Sequence, residues 1–571
     1  MDSPTIAYFS MEFGLDTAMP TYSGGLGVLA GDTVRAAADQ GISMVGVTLL
    51  YRKGYFQQHL DSKGNQTDSP VEWSPARFLT LLPVRVVVTI GGHQVHVQAW
   101  RYMVRGEFGH SVPIYFLDTG LPENEPWDRS LSDWLYGGDQ RYRLSQEVVL
   151  GLGGVAMLRV LGYSIHAYHM NEGHSALIAL ALLEEHTWGH GLQSAGEEDM
   201  EAVRRRCIFT THTPVAAGHD VFPLGLVRDV LGETRSSVLL KTRCCSDSSL
   251  NMTELALRSS RYVNGVSMRH EEVARSMFAT YPIDSVTNGV HALSWVSPSF
   301  GAVYDRHIPE WRRDNFYLRY AVSIPLEEIR EAHRVAKGEM LSELRRRTAV
   351  QLDPAVFTVG FARRATEYKR TGLLFRDLDR LRRIAQSGPL QVVCAGKAHP
   401  RDEGGKELIR CIFGAAARLR GSVPVVYVEE YDMGLARYLC SGVDLWLNTP
   451  QRPREASGTS GMKAALNGIP SFSILDGWWV EGHVEGVTGW AIGDDTEMST
   501  ERELTSLYSK LENVIIPMYY RRPEEYARVM RSAIALNGSY FNAQRMVLQY
   551  VQNAYLRAGV TGKDLSDTRR R

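Results

Sequence analysis

Short apolar runs alternate with helical patterns along most of the 571-residue chain. This alternation predicts parallel sheets built from strand–helix–strand units, because parallel strands need a crossover connection. In the first half, we predict strands at Thr5–Phe9, Ser43–Leu50, Ile165–Met170 and Cys207–Thr211, helices at Val28–Gln40 and Ser175–His186, and an antiparallel hairpin at Val84–Arg105 with its turn at Gly91-Gly92.

A second strand–helix series follows a charged helix predicted at Leu326–Arg347. Its strands are predicted at Phe357–Phe361, Leu390–Ala395, Val423–Val428, Asp444–Leu447 and Ser471–Leu475. Ligands of open parallel sheets bind at the carboxyl ends of the strands. We therefore predict an α/β protein of two doubly wound domains, residues 1–290 and 291–571, facing each other across a cleft. The last helix, about Ala543–Tyr555, is expected to pack back on the first domain.

The composition argues against several classes of protein. Lys and Arg number 63 and Asp and Glu 64, so a net charge of -1 gives no general attraction to nucleic acid or to an anionic membrane. Six cysteines without CxxC spacing are too few for a disulfide scaffold. The N-terminus has no secretory signal pattern, and no apolar run has membrane-spanning length. We expect a cytoplasmic protein with a solvated basic tail at Arg569–Arg571.

The most informative stretch is Glu455–Gly468, which follows a predicted strand. Its small residues Gly458–Gly461 precede a short helix predicted at Met462–Leu466, and free N–H groups at a helix start favour an anion. Lys463 lies in the first turn of that helix. A lysine there suits either a phosphate contact or a Schiff base to an aldehyde cofactor. On spacing alone, a glycine-rich turn with a surface lysine is the alternative interpretation.

Four cations lie within eight residues directly after the predicted strand Phe357–Phe361. They are Arg363, Arg364, Lys369 and Arg370. At the carboxyl end of a strand, paired arginine and lysine side chains would hold one or two phosphate groups. The alternative is the solvated start of a charged helix.

Two weaker features also point to a ligand at strand ends. The glycine-rich stretch Ser23–Gly31 precedes the predicted helix Val28–Gln40 and would bring backbone N–H groups close to a phosphate or a sugar. Histidines follow further strand segments at His174, His212 and His291. Because none has HExxH or short His/Cys ligand spacing, we predict no metal site and favour neutral hydrogen bonds to a sugar.

These segments together resemble the glycogen/starch (α-glucan) phosphorylases. EASGTSGMKAALNG, RRATEYKR, SGGLGVLAGD, NEGH, TTHTP and TNG occur in the order typical of that family, as do SMEFG, RLSQE at Arg143–Glu147 and VEEYDMGLA at Val428–Ala436. The similarity extends from about residue 5 to residue 550. The chain length and LDGWW at Leu475–Trp479 resemble the short bacterial and archaeal form.

The resemblance implies two Rossmann-like domains of the GT-B glycosyltransferase type and the cofactor pyridoxal 5′-phosphate (PLP). It implies reversible phosphorolysis of terminal α-1,4-glucosidic bonds by inorganic phosphate, which gives glucose 1-phosphate with retention. In that family the phosphate of PLP is the proton donor and acceptor. The expected partners are inorganic phosphate and an α-1,4-glucan such as glycogen, starch or maltodextrin, and the family suggests a homodimer.

The resemblance also implies roles for single residues, carried over by motif. Cofactor roles fall to Lys463 as the Schiff-base lysine, to Thr459, Ser460 and Gly25 around the cofactor phosphate, to Arg363 and Lys369 as its charged partners, and to Tyr431 against the ring. Catalytic roles fall to Lys463, Arg364, Lys369 and His212, with Arg364 and Lys369 on the substrate phosphate. Sugar-binding roles fall to Gly24, His212, Asn288, Glu455, Ser457 and Gly458, and Glu12 is placed in a loop lining the cleft.

The sequence departs from the long enzymes at three points. Only a few residues precede SMEF, where long forms carry an extended regulatory region, so we expect no phosphorylation switch of that kind. Thr366 replaces a histidine, and Ser460-Gly461 replaces Gly-Asn. These two changes leave the details of the phosphate pocket open.

Three other functions are alternatives to this one. Many retaining nucleotide-sugar glycosyltransferases carry two glutamates eight positions apart, but here Lys463 stands eight positions after Glu455. That lysine disfavours a nucleotide-sugar donor. A non-catalytic glucan-binding protein would be expected to lose Lys463, Arg364 or Lys369, all of which are present. A PLP phosphorylase for another glycoside stays open, because a cofactor site says little about the acceptor.

Overall fold

The structure is a computed structural model that describes residues 5–215, 218–246, 248–494 and 499–556. The predicted basic tail Arg569–Arg571 lies outside the described residues. The chain divides into two compact units. The first contains the residues up to 56, 70–287 and those from 546 onward, and the second contains 57–69 and 288–545. No helix of the described residues is long and apolar enough to cross a membrane.

The strands are numbered in chain order. They are β1 Thr5–Ser10, β2 Met44–Leu49, β3 Gln57–Leu60, β4 Gln66–Ser69, β5 Thr80–Ile90, β6 His93–Arg105, β7 Ser111–Asp118, β8 Ile165–Asn171, β9 Cys207–Thr210, β10 Val221–Pro223, β11 Ser249–Asn251, β12 Tyr262–Gly265, β13 Asp284–Ser285, β14 Phe357–Ala362, β15 Leu390–Ala395, β16 Val425–Val428, β17 Leu445–Asn448, β18 Ser471–Ile474 and β19 Gly489–Ile492.

The α-helices are numbered in the same way. They are α1 Gly25–Asp39, α2 Pro126–Arg129, α3 Gln140–Val148, α4 Gly154–Val160, α5 Ile178–His186, α6 Glu197–Arg204, α7 Leu224–Leu231, α8 Glu233–Lys241, α9 Met252–Arg258, α10 Met268–Met277, α11 Ala292–Trp295, α12 Pro298–His307, α13 Leu326–Thr348, α14 Leu378–Ser387, α15 Glu403–Leu419, α16 Met433–Gly442, α17 Ser460–Ala465, α18 Trp479–Gly482, α19 Thr500–Lys510, α20 Ile516–Arg521, α21 Pro523–Ser532 and α22 Ala543–Tyr550.

The first unit is built on a sheet with the spatial order β13-β12-β9-β8-β1-β2-β7-β6-β5. From β13 to β7 neighbouring strands are parallel, and β6 and β5 add an antiparallel edge. From β1 the chain moves one way to β2 and to the β5–β7 edge, and then returns to β8 on the other side of β1. This reversal makes the sheet doubly wound, with its switch point between β1 and β8.

The second unit is built on a fully parallel sheet with the order β16-β15-β14-β17-β18-β19. In sequence order this is 3-2-1-4-5-6, the order of the dinucleotide-binding doubly wound fold. Every residue of β14 and β15 is buried, as expected for central strands covered by helices on both faces. The switch point lies between β14 and β17, and ligands of such sheets bind beside it at the strands' carboxyl ends.

Helices cover the second sheet through apolar stripes and one buried ionic anchor. The buried residues of α15 include Ile409, Ile412 and Leu419, which share one helical face. Helix α13 is tied to the sheet through Asp444, just before β17. The carboxylate of Asp444 accepts from Lys337 Nζ at 2.6 Å and is 2.8 Å from His333 Nε2.

The final segment belongs to the first unit. Helix α22 continues as a π-helical turn at Val551–Tyr555. The Tyr555 hydroxyl lies 2.7 Å from His169 Nδ1, at the end of β8. The Tyr550 hydroxyl accepts from Asn264 Nδ2 of β12 at 3.1 Å. These bonds join the last described residues to the parallel strands of the first sheet.

The prediction of an α/β protein with parallel sheets is confirmed. The single strands predicted above begin and end within two residues of observed ones, and the turn at Gly91-Gly92 has positive φ at both glycines. Strand β5 begins at Thr80, four residues before the predicted hairpin, and helix α5 begins at Ile178, three residues after its predicted start. Helix α1 begins at Gly25, three residues before the predicted start, because Gly27 and Gly31 let the helix approach Glu12 and the Gly14 carbonyl. Helix α17 begins at Ser460, two residues before the predicted start.

Candidate active site

Three predicted site residues meet at the switch point of the second sheet. Arg363 follows β14, and Glu455 lies in the loop after β17. The Glu455 carboxylate accepts from Arg363 Nη2 at 2.5 Å and from Lys369 Nζ at 2.6 Å. Arg363 also donates to Asn448 Oδ1 at the end of β17. Two cations and one carboxylate are thus held together where a doubly wound sheet binds its ligand.

The charge state of this cluster follows from its geometry. Burial alone would raise the pKa of Glu455, but Arg363 and Lys369 outweigh it and lower that pKa to about 2. The carboxylate is therefore ionised at neutral pH, and the three groups carry a net charge of +1. A buried cluster with one spare positive charge favours an anionic ligand.

The loop that carries the four cations is not a helix. It contains one 3-10 turn at Glu367–Lys369, and Arg370 ends the turn with φ 48°. The alternative of a charged helix start at this position is therefore wrong. Arg364 is exposed, whereas Lys369 is buried. The buried atoms Arg363 Nε and Thr366 Oγ1 make no hydrogen bond within the described parts of the chain.

Lys463 is a buried residue of α17. It is 7% exposed, so the alternative of a surface lysine is wrong. Its Nζ lies 4.0 Å from the centroid of the Trp295 ring. Ser460, one turn earlier, accepts a hydrogen bond from Trp446 Nε1 at 3.0 Å. Tyr431 is half-buried and packs against a core cluster of the same unit.

The loop before α17 is tightly folded. Gly458 has φ 73°, a left-handed conformation that suits glycine. Ser457 is buried and donates to the carbonyl of Gly458 at 3.2 Å. Thr459 takes the N-cap position of α17 without a side-chain capping bond. Asn288, elsewhere in this unit, has a buried Oδ1 with no hydrogen-bond partner in the described residues.

In the first unit, Glu12 shapes the loop before α1. Its Oε2 accepts from the backbone N–H groups of Ser23 at 2.5 Å and Gly24 at 3.2 Å, and its Oε1 accepts from the Tyr136 hydroxyl at 2.9 Å. Glu12 is 1% exposed, so its carboxylate supports the glycine loop from inside. A Cβ built on Gly25 would meet no described atom within 4 Å, which leaves open space at the start of α1.

His212 lies beyond β9 and is held by the last residue of β8 and the residue that follows it. Its Nε2 is 2.6 Å from Asn171 Oδ1, and its backbone N–H donates to Glu172 Oε2 at 2.8 Å. Burial, reinforced by His270 and other nearby histidines, lowers the pKa of His212 to about 3. The imidazole is therefore neutral at physiological pH, as expected for a hydrogen-bonding group on a sugar.

Sequence reasoning missed a polar cluster near His212 and Glu172. Arg143 Nη2 donates to Asp220 Oδ2 at 3.1 Å, and Arg143 Nε lies 3.3 Å from Glu147 Oε1. His174 Nε2 is 3.5 Å from the same Asp220 oxygen. Burial and the Asp220 charge raise the pKa of Glu147 well above its usual value. The Arg-x-x-x-Glu spacing within RLSQE, which puts both side chains on one helix face, was the available signal.

Comparison with known proteins shows which family the chain is similar to. A family model described as carbohydrate phosphorylase matches residues 226–488. A maltodextrin phosphorylase of Thermococcus litoralis is 38% identical, over 97% of this chain and 70% of that protein. Glycogen phosphorylases of Mycobacterium tuberculosis and Aquifex aeolicus are 36% and 35% identical, over 99% and 96% of this chain and 74% and 86% of theirs.

The chain belongs to the carbohydrate phosphorylase family. It is therefore an enzyme of the glycosyltransferase class. Phosphorylases of this family use PLP, and the second unit has groups that suit it. Lys463 offers a buried amine against an aromatic ring, and Arg363 and Lys369 offer cations for a phosphate. The buried Arg363 Nε and Thr366 Oγ1, unbonded in the described residues, fit an additional polar ligand.

Proposed function

We propose that this phosphorylase transfers the terminal α-1,4-linked glucosyl unit of a glucan to inorganic phosphate, giving glucose 1-phosphate with retention. The observation that carries the proposal is the meeting of Arg363, Lys369 and Glu455 at the switch point of the second sheet. The relatives named maltodextrin phosphorylase and glycogen phosphorylase support a glucan as the substrate. The two units would be the two domains of the GT-B fold.

Lys463 would hold PLP through its amine, with Thr459, Ser460 and Gly25 near the cofactor phosphate. Arg363 and Lys369 would pair with that phosphate, and Tyr431 would lie against the ring. When bound, PLP supplies a phosphate that exchanges a proton with the substrate phosphate. Trp446 fixes the Ser460 hydroxyl oxygen, which leaves the hydroxyl proton for donation.

The positive charges of the site would offset the repulsion between two neighbouring phosphates. Two unit charges 4 Å apart repel by about 4 kcal/mol at an effective dielectric constant of about 20, and two dianions repel several times more. Arg364 and Lys369 would bind the substrate phosphate beside Arg363. Glu455 keeps Arg363 and Lys369 in fixed positions before any phosphate arrives, so little reorganisation is needed.

In the reaction, the bond between C1 and the glycosidic oxygen breaks, and that oxygen takes a proton from the substrate phosphate. A phosphate oxygen then bonds to C1 on the face that the glucan left. While the bond to C1 breaks, positive charge develops on the sugar. A neutral His212 can hydrogen-bond the sugar without adding repulsion, which a protonated imidazole would do.

Sugar recognition would come from His212, Asn288 and the loop containing Glu455, Ser457 and Gly458. Gly24 would lie near the transferred sugar, on the loop that Glu12 holds. Excluding water from the site prevents hydrolysis to glucose. A homodimer and a cytoplasmic location stay predictions.

The proposal is tested by borohydride reduction of the purified protein followed by peptide mass spectrometry. We expect a pyridoxyl-phosphate adduct on Lys463, and none in a Lys463→Arg variant. Lys406 of α15, which is 14% exposed and pairs with Glu403, supplies the matched Lys406→Arg control, in which Lys463 still forms the adduct.

A second assay incubates the protein with maltoheptaose or glycogen and inorganic phosphate. Glucose 1-phosphate should form without free glucose. If no adduct forms after incubation with PLP, and glucosyl transfer occurs only from a sugar nucleotide, the proposal is wrong. An adduct without phosphorolysis of either glucan would indicate a phosphorylase that acts on a different glycoside.

A further inference from the structure

Arg370 is the last cation of the RRATEYKR motif. Its side chain makes three hydrogen bonds at once. Nε donates to the carbonyl of Thr449 at 3.1 Å, Nη2 to the carbonyl of Pro450 at 2.7 Å, and Nη1 to Glu503 Oε2 at 2.6 Å. The guanidinium thus joins its own loop to the loop after β17 and to helix α19.

The backbones of the two loops are bonded to each other at the same place. The N–H of Gln451 donates to the carbonyl of Tyr368 at 2.7 Å. The Thr449 hydroxyl donates to the carbonyls of Lys369 and Arg370 at 3.2 and 3.1 Å. Arg370 itself has φ 48°, a region that non-glycine residues avoid unless the surroundings enforce it.

This junction sets where Lys369 and Glu455 lie. Lys369 directly precedes Arg370, and Glu455 follows Thr449 by six residues on the second loop. A lysine ammonium sits on a flexible four-carbon stem, so its position depends on where the backbone holds the stem. With the junction intact, Lys369 Nζ lies 2.6 Å from Glu455 Oε1.

We infer that Arg370, held by Glu503, is a positioning residue that fixes Lys369 in the phosphate-binding cluster. Arg370 acts through the backbone of its loop and does not itself contact phosphate. The inference rests on the proposed phosphorylase function. It assigns a function to the αL turn at Arg370 and to the Arg370–Glu503 pair, whose side chains are 17% and 5% exposed.

The test compares Arg370→Lys and Glu503→Gln with Arg380→Lys in the PLP-loaded protein. Arg380 also pairs with a glutamate of the second unit, Glu512, at 3.1 Å. A lysine at 370 lacks the planar fork that bonds all three acceptors at once, so we expect KM for phosphate to rise about tenfold. KM for maltoheptaose should stay unchanged. Glu503→Gln keeps one acceptor oxygen and should raise KM for phosphate about threefold.

A second readout does not depend on turnover. The dissociation constant of inorganic phosphate, measured by titration calorimetry, should rise by the same factors in Arg370→Lys and Glu503→Gln. The double variant should be no weaker than Arg370→Lys alone, because both changes break the same junction. Arg380→Lys should match the wild type in both measurements.

Two results would overturn the inference. One is an unchanged phosphate affinity in both Glu503→Gln and Arg370→Lys. The other is a uniform loss that affects phosphate and glucan alike and follows the melting temperature, which indicates a purely structural role. Failure of the proposed function looks different, because then the wild type and Arg380→Lys also show no phosphorolysis.

Discussion

At the scale of single residues, Glu455 supplies the negative charge that pairs with both Arg363 and Lys369. It is 6% exposed and neutralises one of the two cations that it contacts. Without it, Arg363 and Lys369 would face each other as like charges. The carboxylate therefore organises the phosphate-binding groups besides any contact it makes with sugar.

We predict that Glu455→Gln lowers the free energy of unfolding at pH 7 by about 3 kcal/mol, the value that corresponds to a pKa moved from 4.5 to about 2. Because the folded-state pKa lies below the unfolded value, this stabilisation is present above pH 4.5 and is lost as pH falls toward 2. The measurement is urea unfolding of both proteins at a series of pH values.

The control is Asp379→Asn, which removes a carboxylate that is 78% exposed and paired with Arg382. Such a surface pair contributes little, so its difference from the wild type should stay below about 1 kcal/mol. A Glu455→Gln penalty that persists unchanged from pH 7 to pH 3 would contradict the electrostatic explanation.

At the scale of elements, helix α13 is attached to β17 through a buried ionic anchor. Asp444 is 1% exposed and accepts from Lys337 Nζ and from the backbone N–H of Thr358, at 2.6 and 2.7 Å. Burial opposes ionisation of Asp444, but Lys337 and His333 outweigh it and lower the pKa. The anchor fixes the helix against the strand that leads to the Glu455 loop.

We predict that Asp444→Asn destabilises the protein by about 3–5 kcal/mol, because it leaves the buried Lys337 ammonium without its counter-charge. Glu331→Gln on the same helix is the matched control, since Glu331 and its partner Arg334 are exposed. Thermal unfolding should separate the two variants clearly. Equal melting temperatures would rule out an energetic role for the anchor.

Most of the parallel strands were predictable, because strands buried on both faces leave mainly apolar runs such as 390–395, in which Gln391 is the one polar residue. The start of α1 was missed, since the usual rule keeps glycine out of helices and ignores the close approach of Gly27 to Glu12. In the site, Lys463 and Glu455 stand out through a long motif. The Arg143–Asp220 contact could not be predicted, because it joins residues 77 positions apart.

At the scale of the whole molecule, the chain passes between its two units four times, after residues 56, 69, 287 and 545. The first passage leads into the hairpin of β3 and β4, which belongs to the second unit. Gln66 of this hairpin donates to the carbonyl of Ala398 and accepts from its N–H, and Gln58 Oε1 accepts from the N–H of Glu430. The last passage lies within α22 and returns the chain to the first unit at Met546, so neither unit is a continuous stretch of sequence.

We predict that Tyr550→Ala lowers the free energy of unfolding of the first unit by about 3–5 kcal/mol, because it removes a buried ring and its hydrogen bonds to Thr210 and Asn264. Leu548→Ala on the same helix is the control, since Leu548 is 48% exposed. Hydrogen exchange should accelerate in β9 and β12 and stay unchanged in β14 and β15. Equal acceleration in both sheets would show that the segment does not stabilise the first unit specifically.

The chain re-enters the first unit only at Met546, so the first unit cannot be completed until late in synthesis. A ribosome that has finished residue 287 must still add the 258 residues 288–545 before Met546 is made. At about 5–20 residues per second this takes about 13 to 50 s. Throughout that interval the nascent sheet lacks Tyr550 and Tyr555, and His169, Thr210 and Asn264 lack their tyrosine partners. We therefore expect the newborn first unit to stay incompletely packed until residues 546–555 emerge.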